Sequence, residues 1–265
     1  MSTTVGTTVS TKMSMSAGAI LQTVDLCKSF GALTVASHIN FDLKTGDRHA
    51  LIGPNGAGKT TFVNLLTGRL VPSSGKVLLA GEDVSARTQA ERVKRGLGRT
   101  FQINTLFGDM SVLDNVALGV AERLGGANVW WRPASANAAV RDEALELLAS
   151  LGIADEASGR VLDLPYGKQR LVEIAISLGL HPKVLLLDEP AAGVPKNESE
   201  KILDALGKLP PEIAILIIEH DMELVFRFAQ RITVLVQGEV LCEGTPHEIE
   251  NDARVREVYL GEAHE

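Results

Sequence analysis

The sequence predicts an α/β protein in which a phosphate-binding-loop core carries an antiparallel β subdomain and an inserted all-helical subdomain. Three observations carry that prediction. Leu51 and Ile52 run into Gly53-Pro54-Asn55-Gly56-Ala57-Gly58-Lys59-Thr60-Thr61 and the chain leaves as a helix, the strand–loop–helix context of G-x-x-x-x-G-K-[ST]. From Lys183 onward, short apolar runs alternate with helical patterns, as in a sheet of buried parallel strands. Between Asp109 and Leu151 the apolar spacing is helical and nothing strand-like intervenes.

The elements follow in order. The chain has 265 residues, 45% of them hydrophobic, enough for one large domain or a domain with a lobe. Residues 1–18 are rich in Ser, Thr and Met and lack the apolar core of a signal peptide, so they are expected to be a disordered tail ahead of a 19–265 domain. Ala19 to Cys27 and Ile39 to Leu43 alternate apolar and polar residues and read as an antiparallel pair of half-buried strands. Between them lies Lys28-Ser29-Phe30-Gly31, where Phe30 has two readings, a core phenylalanine or a flat surface for an adenine ring.

His49 to Ile52 is a buried strand, Lys59 to Thr67 a helix stopped near Gly68, and Val77 to Ala80 another strand. A helical stretch closes at Glu91 to Arg95, and Gly96 to Gln102 crosses the sheet into a loop. Asp109 to Leu124 and Ala134 to Leu151 are helices with Ser111 and Ser135 as caps, inside a helical insertion of about 103–180. Trp130-Trp131 sits at its most irregular point, either packed within the lobe or exposed as a partner contact. Pro165 opens a helix that runs through Leu178, and Val184 to Leu187 ends in Asp188 and Glu189. Helix Asn197 to Leu209, strand Ile213 to Ile218, helix Met222 to Ala229, strand Ile232 to Val236, a Gln237-Gly238-Glu239 turn and strand Val240 to Glu243 follow. A C-terminal extension of about 244–265 holds a last helix, Val255 to Leu260.

The residue types at the loop dictate its chemistry. Gly53, Gly56 and Gly58 let successive N–H groups turn round an anion, and the helix that starts there directs its positive end to the same place. Lys59 adds a full charge for the β- and γ-phosphates, and Thr60 offers a hydroxyl to a nucleotide-borne magnesium ion. Asp188 and Glu189 fall at the carboxyl end of a buried strand, where α/β sheets hold their ligands. Asp188 then binds that magnesium directly or through a water, and Glu189 is the group that orients and deprotonates an attacking water. Gln102 completes the water and metal shell, and His220, ending a neighbouring strand, reads the γ-phosphate.

With these residues in hand, the sequence resembles the ATP-binding subunits of ABC transporters, and more narrowly the LivG type of branched-chain amino-acid importers. The resemblance spans everything after residue 18. Gly53 to Thr61 matches Walker A, Gln102 the Q-loop, and Leu164-Pro165-Tyr166-Gly167-Lys168 with Gln169 and Arg170 the signature motif. Val184 to Glu189 matches Walker B with its glutamate, Ala191 to Lys196 the D-loop, and His220 the switch histidine. Phe30 falls at the family's adenine-stacking aromatic. The narrower match rests on Arg99-Thr100-Phe101-Gln102, Pro165-Tyr166-Gly167-Lys168-Gln169, Asp188 to Gly193, Glu219 to Met222, and Tyr259-Leu260-Gly261-Glu262.

The resemblance implies a P-loop NTPase (ABC ATPase) core and an ATPase that works with ATP and magnesium. It also implies a second ABC ATPase subunit, identical or similar, with ATP sandwiched between one subunit's phosphate loop and the other's signature helix. Transmembrane permease subunits and, through them, a solute-binding protein are the further partners, on the cytoplasmic face of the inner membrane. Two positions depart from the family. Pro165 replaces the signature serine and supplies neither hydroxyl nor N–H to a partner's phosphate, and Pro195 stands where the D-loop usually has Asp or Asn.

Other classes fit less well. A net charge of -7 gives no electrostatic reason for a nucleic-acid partner, and no apolar run approaches the roughly eighteen residues needed to cross a bilayer. Cys27 and Cys242 suit buried small apolar residues in a reducing compartment. A soluble ABC ATPase of DNA repair or translation would show long heptads, a tandem second unit or a basic stripe. A phosphotransferase using the same loop would have no need of the signature stretch.

Overall fold

The computed structural model describes residues 18–100, 106–125 and 133–261. The first strands form a four-stranded antiparallel sheet in the order β2-β1-β4-β5, with β1 at Ala19–Phe30, β2 at Leu33–Lys44, β4 at Ser74–Leu79 and β5 at Glu82–Asp83. Both long strands outrun the sequence expectation. Phe30 is the last residue of β1 and pairs with Leu33 across a two-residue turn, so Lys28 to Phe30 belong to the strand. Register shifts let β1 pass Asp25, whose φ is +50°, and continue.

The second sheet has six strands in the order β10-β9-β3-β8-β7-β6. Its interior strands are β3 (Arg48–Ile52), β7 (Val184–Asp188), β8 (Ala214–Ile218) and β9 (Arg231–Val236). β3, β7 and β8 are buried along their whole length, which is why Val184 to Leu187 and Ala214 to Ile218 read as continuous apolar runs, although β3 opens on Arg48 and His49. The pairings β3–β8, β3–β9, β7–β8 and β6–β7 are parallel, and β10 (Glu239–Gly244) closes the far edge as an antiparallel hairpin with β9. β6 (Leu97–Arg99) is the other edge. Arg48, outside the predicted strand, is buried in β3 because its guanidinium donates to the carbonyls of Ile213 and Leu209 at 2.6 and 3.1 Å.

Helix α1 (Lys59–Thr67) leaves the loop after β3, and α2 (Gln89–Lys94) precedes β6. Between β6 and β7 the described residues are helical: α3 (Val112–Arg123), α4 (Ala138–Ser150), α5 (Tyr166–Gly179) and short 3-10 turns. Ser111 caps α3 through the Asp114 amide, as predicted. Ser135 does not cap α4. Asn137 does so, accepting from the Ala139 amide at 3.1 Å, while the Ser135 hydroxyl is drawn to the Asp114 carboxylate of α3. Val116, Val120, Ala144, Leu148 and Val172 from these helices join Ala50, Leu187 and Ile217 from the sheet in one core.

The chain ends with α6 (Lys196–Gly207), α7 (Met222–Phe228), α8 (Pro246–Asn251) and α9 (Ala253–Gly261). α8 has no counterpart in the sequence expectation, although Thr245 and Glu248 form a reciprocal capping box around Pro246. Cys27 and Cys242 are unpaired and half-buried rather than fully buried. No helix among the described residues is long and apolar enough to cross a membrane. Residues 1–17, Gln102 and Trp130-Trp131 lie outside the described residues.

Candidate functional site

The phosphate loop is wedged between β9 and β2. Gly53 has φ +153°, and a Cβ there would stand 2.1 Å from the Leu235 carbonyl oxygen. Gly58 has φ +100°, and its Cβ would meet the Val35 carbonyl at 2.8 Å. Only glycine fits either place. Gly238, in the β9–β10 turn, donates to the Ala57 carbonyl at 2.9 Å and so braces the loop from the side. α1 then starts with no side-chain cap and no acidic residue in its first turn, which leaves its N-terminal amides and dipole to an anion. Lys59 folds back over the loop, its Nζ donating to the carbonyls of Gly53 and Pro54.

A cleft of 490 Å³ opens over this loop, lined by Asn55 to Thr61, Leu33, Thr34, Val35, Gln237, Gly238 and Glu189. It therefore brings the loop and one of the two strand-end carboxylates together across more than a hundred residues of chain. Phe30 does not line it. That ring ends β1 half exposed, with the Lys28 ammonium 5.0 Å from its centroid, and its cross-strand partner Leu33 reaches the cleft instead.

Asp188 and Glu189 part company at the end of β7. Asp188 is buried, with its Oδ2 accepting from Arg99 Nη2 at 2.8 Å. Glu189 has φ +48°, donates its N–H to the Ile218 carbonyl at 2.9 Å, and turns out of the strand into the cleft. His220, two residues beyond the neighbouring β8 and largely exposed, puts Nδ1 3.9 Å from Glu189 Oε1 and equally far from Glu219 Oε2. Glu219 is buried, and its carboxylate accepts from the amides of Ala191 at 3.1 Å and His220 at 3.3 Å. Burial pushes its pKa up, against the pull of those two amides. Sequence reasoning gave no role to Glu219 or Arg99. For Glu219 the available signal was a charged residue abutting the wholly apolar β8.

The signature residues lie away from this cleft. Leu164 is buried, Pro165 occupies the N-cap of α5, and the Pro165 carbonyl accepts from the amides of Lys168 and Gln169 at 2.9 and 3.1 Å. The Tyr166 hydroxyl accepts from Arg170 Nη2 at 2.6 Å, and the guanidinium stacks 4.9 Å from the Tyr166 ring centroid. Arg170 is also ion-paired with buried Glu173 at 2.8 Å. At Gly167 a Cβ would stand 2.5 Å from Glu198 Oε2, so the absence of a side chain lets α5 meet the start of α6. Lys168 is ion-paired with Glu156.

Thr60 and Asp188 offer hydroxyl and carboxylate oxygens, the donor chemistry that suits a hard divalent cation carried by a nucleotide. The open glycine cradle and uncapped helix suit its phosphates.

Residues 36–192, from β2 through the loop to Ala192, match the family model described as ABC transporter. The chain belongs to the ABC transporter family. A second model, described as branched-chain amino acid ATP-binding cassette transporter, matches residues 239–265, the part that holds α8 and α9. The chain is 36% identical over 251 residues to the high-affinity branched-chain amino acid transport ATP-binding protein LivG of Escherichia coli K12, covering 92% of this chain and 98% of LivG. Among solved structures it is similar to the ADP conformation of MJ1267, an ATP-binding cassette of an ABC transporter, with TM-score 0.82, 29% identity, and coverage of 92% of this chain and 99% of that one. It is also similar to the dimeric structure of MJ0796, a bacterial ABC transporter cassette, with TM-score 0.71, 26% identity, and coverage of 85% and 98%. As a member of this family the ABC chain is an ATPase subunit with an α/β cassette fold.

Proposed function

We propose that this chain is the ATP-hydrolysing, energy-coupling subunit of an ABC importer for branched-chain amino acids or related solutes. The observation that carries the chemistry is the shared cleft, in which Glu189 faces the phosphate loop with His220 beside it. Asn55 to Thr61 and the start of α1 bind the phosphates, and Lys59 exchanges its loop carbonyls for the β- and γ-oxygens. Glu189 accepts a proton from a water, whose oxygen attacks the γ-phosphorus. The bond to the β-phosphate oxygen breaks, leaving ADP and inorganic phosphate. His220 hydrogen-bonds the γ-phosphate and keeps Glu189 aimed. Magnesium, held by Thr60, Asp188 and Gln102, supplies positive charge to the phosphate oxygens when bound. Phe30, at the open end of β1, flanks the adenine.

Leu164 to Lys168 do not reach their own chain's cleft, which supports a role toward the ATP of a second subunit. The amides of Tyr166 and Gly167, free of intrahelical partners at the first turn of α5, are the donors left to clamp a partner's γ-phosphate where Pro165 has none. ATP then closes a dimer and hydrolysis reopens it. The helices between β6 and β7 carry that motion to transmembrane permease subunits at the cytoplasmic face of the inner membrane, and a solute-binding protein delivers cargo on the other side. The match of residues 239–265 and the likeness to LivG support branched-chain amino acids as the cargo class.

The test is to purify the intact membrane complex and measure its ATPase rate with the binding protein loaded with leucine, isoleucine, valine or unrelated amino acids. Stimulation by the branched-chain set supports the assignment. A complex that binds ATP yet releases no phosphate under any load contradicts it.

A further inference from the structure

Arg99 is an arginine with a buried side chain at the edge of the six-stranded sheet. It ends the edge strand β6, and its side chain and that of Asp188 are each only 6% exposed. A guanidinium is taken out of water at such a depth only when it is paired and hydrogen-bonded. Arg99 meets both conditions through two different elements. Nη2 donates to Asp188 Oδ2 at 2.8 Å, and Nη1 donates to Asn64 Oδ1 at 2.9 Å on α1, the helix that issues from the phosphate loop. Its Nε has no hydrogen-bond partner among the described residues.

We propose that Arg99 is a positioning residue that sets the Asp188 carboxylate for magnesium, using Asn64 as its second anchor. The inference rests on the reading of Asp188 as the magnesium carboxylate. A planar guanidinium fixed at two nitrogens cannot swivel, so the Oδ2 it holds keeps one place relative to α1 and hence to Thr60 on the same helix. The ion pair engages Oδ2 alone and leaves Oδ1 outside it. Arg99 stays in place when the cation arrives, because leaving would strand a buried charge and also break the Asn64 bond. The opposite arrangement, a guanidinium that occupies the cation's place and must be expelled, predicts the opposite response to its removal.

The experiment titrates magnesium chloride into the full-length chain with a fluorescent trinitrophenyl ATP analogue, starting from EDTA, and reads the half-saturating magnesium concentration for nucleotide binding. Asp188→Asn tests the underlying reading by itself: if its magnesium response equals that of the unmodified chain, Asp188 is not the ligand. With that response lost, Arg99→Met is expected to raise half-saturation about ten- to a hundredfold, the usual cost of removing a residue that orients a metal ligand. Its binding in EDTA is expected to stay within about twofold, since no phosphate contact has changed. Arg99→Lys keeps the charge and loses the fork, and falls in between. Asn64→Ala retains the ion pair and therefore the fold, and is expected to raise half-saturation roughly threefold. It decides the matter if Arg99→Met does not fold. An unchanged magnesium response in folded Arg99→Met or in Asn64→Ala overturns the proposal, and a tightened one assigns Arg99 as a competitor instead.

Discussion

Nδ1 of His220 lies 3.9 Å from Oε1 of Glu189, a contact between residues that follow two neighbouring strands, β8 and β7. In the proposed function the imidazole serves both the glutamate and the γ-phosphate. Replacing it removes one donor aimed at developing charge. His220→Ala is expected to slow phosphate release roughly 10²-fold, as deletion of one such donor does elsewhere, and to leave nucleotide binding nearly intact. Steady-state turnover beside a nucleotide titration checks both halves.

A second expectation concerns pH. His49 is fully buried in β3, packed 5.0 Å from the Phe41 ring with Nε2 2.8 Å from the Thr233 hydroxyl. Burial, with a smaller contribution from Arg231, holds its pKa down to about 3. Between the ordinary histidine value of about 6.5 and that lowered one, the unfolded chain binds a proton that the folded chain refuses. Stability is lost as pH falls through this window, at up to about 1.4 kcal/mol per pH unit. Glu173 and Glu219 act in the reverse sense. Burial raises both, so the stability they contribute is present at low pH and lost as pH rises through their folded values. Urea midpoints from pH 7 to 4 for the unmodified chain and His49→Gln isolate the histidine: the variant's curve is expected to be flatter on the acid side.

Pro165 offers a gain-of-interaction test. Serine there would keep the carbonyl that accepts from Lys168 and Gln169 and add a hydroxyl and an N–H at the head of α5. A hydrogen bond to a charged phosphate contributes roughly 1.5–3 kcal/mol, so ATP-driven association should tighten by about tenfold or more. Serine is also a good N-cap, so the thermal midpoint should rise. Light scattering against ATP concentration measures the first effect, and a thermal melt the second.

Much of this fold can be read from local chemistry. Helix α1 has the bounds its glycines dictate, with Gly58 before it and Gly68, at φ +79°, after it. Strands β7 and β8 announce themselves as apolar runs because both of their faces are covered. Ser135 misleads, since a cap depends on which residue sits at the first extended position, and that residue is Asn137. Helix α8 was legible in Thr245, Pro246 and Glu248. The pairings of Arg99 and Glu219 were not. Their partners Asp188 and Ala191 lie 89 and 28 residues away, and only the folded sheet makes those neighbours. The apolar alternation stops at Cys27, but the tight Gly31 turn, φ +59°, lets β1 run on to Phe30.

In the proposed function Glu189 performs the proton transfer, in a site that a second subunit completes. Glu189→Gln keeps the shape of the cleft and removes the base. Light scattering of the full-length variant with magnesium and ATP separates these two roles from their absence. The mass is expected to double with ATP, to return to monomer with ADP, and to persist because hydrolysis is slowed by at least about 10²-fold. A variant that stays monomeric with ATP, or that turns ATP over at the unmodified rate, would contradict that function.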